Sequence, residues 1–170
     1  MIEKLKLLLK SFLTFFQITP KNYLNKKTQM KINEGFKIDK PDIFIPWGTD
    51  EQTLKNLFKE YSLKRVTTGY YTAECISLGE LKCIIGFHFD PRLKGKLIEL
   101  EFFRIDYNDQ RKSFNEFQHS FEKVFGQPTS ITKGNEGFNN YQWLLNEVQI
   151  IHHIYDRFGP EEHMRIRKNN

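Results

Sequence analysis

The sequence predicts an α+β domain: an antiparallel sheet of about six to seven strands with two main helices on one face. Three observations carry that expectation. Residues 65–106 and 129–158 contain runs of period-two alternation broken by short turn-forming segments. Two other segments place apolar residues at helical spacing, Leu54, Leu57, Phe58 and Tyr61 in one and Phe114, Phe117, Phe121, Val124 and Phe125 in the other. Finally, 170 residues with 39% hydrophobic and 15% aromatic content suffice for one core without disulfide or metal staples.

The chain opens on MIEKLKLLLKSFLTFFQI, in which Ile2, Leu5, Leu8, Leu9, Phe12, Leu13, Phe15 and Phe16 fall on one helical arc and the lysines on the other. Residues 1–18 therefore read as an amphipathic helix that Pro20 terminates. Such a helix can dock on its own domain, on a partner, or, through residues 2–18, on an anionic membrane surface. A secretory signal fits less well, because Lys10 interrupts the apolar stretch and no small-residue cleavage site follows. Residues 19–40 read as a basic linker, and 41–170 as the single compact domain.

Within that domain, Asp42 to Trp47 suits a short strand. Thr49 and Gln52 have the spacing of a capping box for a helix from about Asp50 to Tyr61. Three antiparallel strands should follow, joined by Leu78-Gly79-Glu80 and by Pro91 to Gly95, with a bulge or second buried surface near Phe102. Asn108 can cap the second helix, which Gly126 and Pro128 end. Strands near 129–133, 138–145 and 148–158 complete the sheet, and Glu161-Glu162-His163 then reads as the start of a terminal helix that Arg165, Arg167 and Lys168 finish. The order suggests a pseudo-repeat of helix plus meander.

Charge is unevenly placed. The formal charge is +5, yet residues 1–40 carry nine lysines against Glu3, Glu34 and Asp39, which leaves the rest of the chain near neutral. This disfavours nucleic acid as a partner, since phosphate neutralisation needs cations gathered on the folded surface. No phosphate-binding loop, dinucleotide fingerprint, HExxH helix or GxSxG elbow is present. The one local cluster is His152-His153-Ile154-Tyr155-Asp156-Arg157; alternation puts His152, Ile154 and Asp156 on one side and His153, Tyr155 and Arg157 on the other. A hydrolase using a His/Asp pair from it is the enzymatic alternative; we assign no catalytic residue, no metal site and no cofactor. Cys75 and Cys83 fall on inward strand positions as inert thiols, which suits a reducing, cytoplasmic setting, with membrane association through residues 2–18 as an added expectation. Glu99 and Glu101 share one strand face and read as a solvated pair beside Lys96 and Arg104.

The remaining unusual feature is surplus aromatic content. Tyr70, Phe103, Tyr141, Trp143, His153, Tyr155 and Arg157 are the candidate partner-binding residues, because aromatic and arginine side chains bury large areas at little entropic cost. The segments IFIPWGTDEQTLKNLF, FEKVFGQPT, YQWLL and VQIIHHIYDRFG give residues 41–160 a pattern that resembles the small α+β immunity proteins of bacterial polymorphic toxin and contact-dependent inhibition systems. That resemblance implies a non-enzymatic cytoplasmic protein that binds and neutralises a cognate toxin domain. The near-neutral domain speaks against a nuclease as that toxin.

Overall fold

A computed structural model describes residues 31–105, 109–156 and 159–169. The helix expected over residues 1–18 lies outside the described residues, as do Asn108, Arg157 and most of the expected linker.

The elements run β1 (Gly35–Ile38), β2 (Ile43–Pro46), α1 (Glu51–Leu57), β3 (Lys64–Thr67), β4 (Tyr70–Ser77), β5 (Leu81–Asp90), a 3-10 turn (Pro91–Leu93), β6 (Lys96–Arg104), α2 (Gln110–Phe125), β7 (Ser130–Lys133), β8 (Asn139–Leu145), β9 (Val148–Asp156) and β10 (Pro160–Lys168). Strands β3 to β10 form one antiparallel sheet in the order β3-β4-β5-β6-β10-β9-β8-β7, while β1 and β2 pair as a separate hairpin. The large sheet thus has eight strands, one or two more than expected.

Two of its strands were not expected as such: β3, read as part of one strand with β4, and β10, where a terminal helix was expected; the strand near 42–47 pairs with β1 outside the sheet. The inward positions of β10, Glu162, Met164 and Ile166, are buried, and it lies between β6 and β9 in the middle of the sheet. A period-two burial pattern with only two apolar residues replaces the predicted helical one because its outward arginines pair with β6 instead of solvent. With β10 in place, α1 with β3–β6 and α2 with β7–β10 become two units of one helix and a four-strand meander. Their last strands meet antiparallel at the centre, Phe102 opposite Met164 and Leu100 opposite Ile166.

Both helices lie on one face. Phe58, at the end of α1, meets Phe87 edge-on, and Phe121 of α2 contacts Phe102, Trp143 and His152, all on the same side by strand alternation. The hairpin covers this face too, through Phe36 against Phe102. Ile32, Phe36 and Ile38 are buried, so the compact part begins before Pro41 and includes the end of the expected linker. Phe102, Phe117, Phe121 and Trp143 have essentially no exposure; removing one such phenylalanine ring typically costs about 3–5 kcal/mol.

Helix ends follow from local chemistry. Asp50, rather than Thr49, caps α1 by accepting from the Thr53 N–H at 2.8 Å, and the Thr49 hydroxyl donates to the Pro46 carbonyl instead. The helix closes at Leu57, short of Tyr61. Asp109 caps α2 through the Lys112 N–H at 2.9 Å. Gly126 ends α2 with φ 83°, a value that favours glycine, and its carbonyl accepts from the buried Trp143 indole at 2.8 Å. The sheet irregularity falls at His88/Phe89 opposite Ile98, not at Phe102.

Candidate functional site

The alternation that buries Phe87, Leu100, Met164 and Ile150 leaves the opposite side of the sheet to Tyr70, His88, Glu99, Glu101, Phe103, His163, Arg165, Arg167, His153 and Tyr155. No described helix or hairpin covers this open face. At its centre the expected solvated carboxylate pair is instead buried, Glu99 at 4% and Glu101 at 8% exposure. The correction has a clear cause in β10. Arg165 donates to Glu99 at 2.9 Å and to Glu101 at 2.7 Å, and Arg167 Nε donates to the other Glu99 oxygen at 2.7 Å. Lys96 pairs with Asp50 and Arg104 with Glu116, so neither expected neighbour serves the pair.

The ladder continues outward. Glu101 Oε2 lies 2.9 Å from His88 Nε2, and the Tyr70 hydroxyl donates weakly to the same oxygen at 3.4 Å. Burial pushes the Glu101 carboxyl up, but the His88 hydrogen bond and the Arg165 charge outweigh it and hold the group below the ordinary range. Tyr70 stacks on His88 with ring centroids 4.4 Å apart, and burial, reinforced by Glu101, raises its phenol pKa. Toward the other half, His153 stacks on His163 at 5.3 Å, and Tyr155, 48% exposed, stands 5.6 Å from His163. Burial first, then the electrostatic influence of His163, His152 and Arg165, lowers the His153 pKa.

At one end of the β6–β10 seam the strands part beyond the Phe102–Met164 pair. A cleft of about 470 Å³ opens there, lined by Glu101, Phe103, Gln110, Glu161, His163 and Arg165 among others.

The structure thus brings Tyr70, Phe103, His153 and Tyr155 onto one face, whereas Arg157 lies outside the described residues. Tyr141 and Trp143 belong to the helix-covered side: Trp143 is fully buried, and Tyr141 packs against Phe114, Trp143 and His152. They are core residues because β8 pairs Tyr141 with His152 and Trp143 with Ile150, both inward. Sequence reasoning did not place His88, His163, Arg165 and Arg167 on this face. The MRIR alternation on β10, with Met164 and Ile166 separating the two arginines, was the available signal.

The histidine cluster is divided between the two sides. His152 has no exposure; its ring nitrogens lie 2.9 Å from Gln118 Oε1 and 2.9 Å from Glu162 Oε1. The Ser113 hydroxyl donates to the other Glu162 oxygen at 2.8 Å, and Phe114 stacks on the ring at 4.0 Å. Burial lowers the His152 pKa and Glu162 works against it. This sealed network fastens α2 to β9 and β10. Among the described residues no group of three or more His, Cys, Asp or Glu side chains converges as a metal site, and no helix is long and apolar enough to cross a membrane.

No family model matches the chain, and no curated protein matches it. Among solved structures, the chain is similar to a DUF4309 family protein (YjgB) from Bacillus subtilis subsp. subtilis str. 168, at 11% identity and a TM-score of 0.45, with 86% of this chain and 97% of that chain covered.

Proposed function

We propose that this is a non-enzymatic binding protein that holds a protein partner on the open face of its sheet. The observation that supports it is the set of Tyr70, His88, Phe103, His153, Tyr155 and His163 rings on one uncovered face, several of them stacked in pairs over a buried carboxylate–arginine ladder. Rings and guanidinium groups already fixed by stacking and ion pairing lose little freedom when a partner covers them. The partner class is taken from the immunity-protein resemblance, a toxin domain neutralised in the cytoplasm; the two free, buried thiols suit that reducing compartment.

The enzymatic alternative has less support. Both ring nitrogens of His152 are engaged inside the core, and His153 projects from the opposite side of β9.

The test is affinity capture from the native host with full-length protein, beside a Tyr155→Ala/His163→Ala variant, followed by co-expression of the captured partner in a growth assay. A stoichiometric partner that is toxic alone, silenced by the parent chain and not by the variant, supports the reading. Recovery of no stoichiometric partner, or of one retained equally by the variant, overturns it.

A further inference from the structure

The chain has two cysteines, and the fold places both at one rung of the sheet. Cys75 on β4 lies directly opposite Cys83 on β5, with the sulfurs 3.7 Å apart. Both side chains lie on the helix-covered side among Ala73, Ile85 and Phe87, Cys75 with 5% exposure and Cys83 with none.

The backbone decides what kind of rung this is. Ile76 exchanges two hydrogen bonds with Lys40 on the edge of β4 away from β5: its N–H donates to the Lys40 carbonyl at 2.8 Å, and the Lys40 N–H donates back at 3.0 Å. Successive residues of a strand turn these groups to opposite edges, so Cys75 directs its own toward β5. Cys75 and Cys83 are therefore a hydrogen-bonded pair, with Cα atoms about 5.5 Å apart. A disulfide spans Cα separations of about 4.4–6.8 Å, so the rung is already at the right width. The turn that joins the two strands is held as well. Leu78, Gly79 and Glu80 take positive φ of 52°, 73° and 86°, Leu78 is buried, and Lys123 of α2 donates to the Gly79 carbonyl at 3.3 Å. The two sulfurs are thus kept in register from both sides of the hairpin.

We propose that Cys75 and Cys83 are the site of a cross-strand disulfide, formed when the chain folds in the presence of an oxidising small-molecule disulfide and absent in a reducing setting. One thiolate attacks the small-molecule disulfide and releases one of its halves as a thiol. The second protein thiolate then attacks the resulting mixed disulfide and releases the other half. The chain gives up two protons and two electrons, and one small-molecule disulfide becomes two thiols. Because burial shields both sulfurs in the finished fold, the bridge closes during folding, and a folded dithiol converts only when the hairpin opens. The pair faces away from the open side of the sheet, so this inference does not depend on the binding reading.

The test is equilibration of the full chain in mixtures of reduced and oxidised glutathione, once after dilution from urea and once in concentrated urea. Remaining thiols are alkylated under denaturing conditions and the products are weighed and mapped by mass spectrometry. The expected native product is a monomer that has lost two hydrogens, carries no alkyl group and yields a peptide linking residues 75 and 83. Its equilibrium constant against glutathione should exceed the value in urea by more than about tenfold, because the fold holds together what the flexible loop must otherwise bring together. By linkage the bridged chain should resist unfolding by the same factor. Cys75→Ser should give no monomer that has lost two hydrogens. A native constant equal to or below that in urea, or thiols recovered as glutathione adducts or as intermolecular dimers, would overturn the proposal. Loss of partner capture with the bridge intact would count against the functional reading alone.

Discussion

Arg165 and Glu101 face each other across the seam between β6 and β10, the guanidinium donating at 2.7 Å to a carboxylate whose residue is only 8% exposed. The same guanidinium holds Glu99, so a single side chain bridges two buried carboxylates where the two halves of the sheet meet. Arg165→Leu leaves Glu99 to Arg167 alone and Glu101 chiefly to His88, and we expect a loss of about 3 kcal/mol in urea denaturation, the lower end for breaking a buried ion pair. Arg167→Leu should cost much less, because that side chain is half exposed and Arg165 still serves Glu99. Adding Glu99→Gln and Glu101→Gln to Arg165→Leu should recover part of the loss. A change below about 1 kcal/mol in Arg165→Leu would mean that the carboxylates are hydrated.

Gly86 sets where Tyr70 lies. A Cβ on Gly86 would sit 2.6 Å from the Tyr70 hydroxyl oxygen and 2.8 Å from its ring, on the open face. The ring can lie flat across β5, stacked on His88, only because this position has no side chain. Gly86→Ala should displace the tyrosine at a cost of about 1–3 kcal/mol. Its marker is the Tyr70 phenol, whose ionisation is held above the ordinary range by burial and Glu101 and should return toward ordinary values in the variant. Ultraviolet titration of parent and variant, each against its Tyr70→Phe counterpart, reads this; identical Tyr70 titration in both would refute it.

These two relationships show what was and was not legible in the sequence. The α2 spacing of Phe114, Phe117, Phe121 and Phe125 and the β4–β6 meander were readable because each element buries a periodic apolar face of its own. Strand β10 was not, because its inward Glu162 is satisfied by His152 and Ser113 and its outward Arg165 by Glu99 and Glu101, partners 10 to 66 residues away. Local pattern cannot reveal a strand whose polar residues are matched by long-range pairing. The same limit hid the open-face ladder: Glu99 and Glu101 look like a solvated face until the arginines of β10 are laid beside them. Trp143 misled in the opposite sense, since its indole N–H finds a partner in the Gly126 carbonyl and lets the ring be wholly buried.

Cys75 and Cys83 sit directly opposite each other on β4 and β5 with sulfurs 3.7 Å apart, both buried. The hydrogen bond to Cys75, followed by burial, pushes the Cys83 thiol well up, so little thiolate forms at neutral pH. A thiol reagent such as an aromatic disulfide should therefore leave both unmodified in the folded protein for as long as it stays folded, and titrate both at once in denaturant. Rapid reaction of either in the native state would contradict this placement.

Three buried or half-buried groups, whose pKa values in the fold lie below their ordinary ones, dominate the pH dependence of stability; Asp50, Asp90 and Glu147 are lowered too but are solvent-screened. Burial lowers His152 and His153; His88 and Arg165 hold Glu101 down against the effect of its burial. In each case the unfolded chain binds the proton more readily, so stability rises with pH across the titration. The histidine contribution is complete above the ordinary imidazole value of about 6.5 and is lost as pH falls through the lower folded values. The Glu101 contribution persists to lower pH, and is lost only once pH falls below the ordinary glutamate value of about 4.3 and through the folded one. Urea midpoints measured from pH 8 to pH 3 should accordingly decline in two stages, the first beginning between pH 7 and 6. His153→Gln should flatten part of the first stage and leave the second. A midpoint that rises as pH falls from 8 to 5 would reverse the assignment: Glu162, not burial, would then govern His152, and the buried pair joining α2 to β10 would be an imidazolium–carboxylate pair.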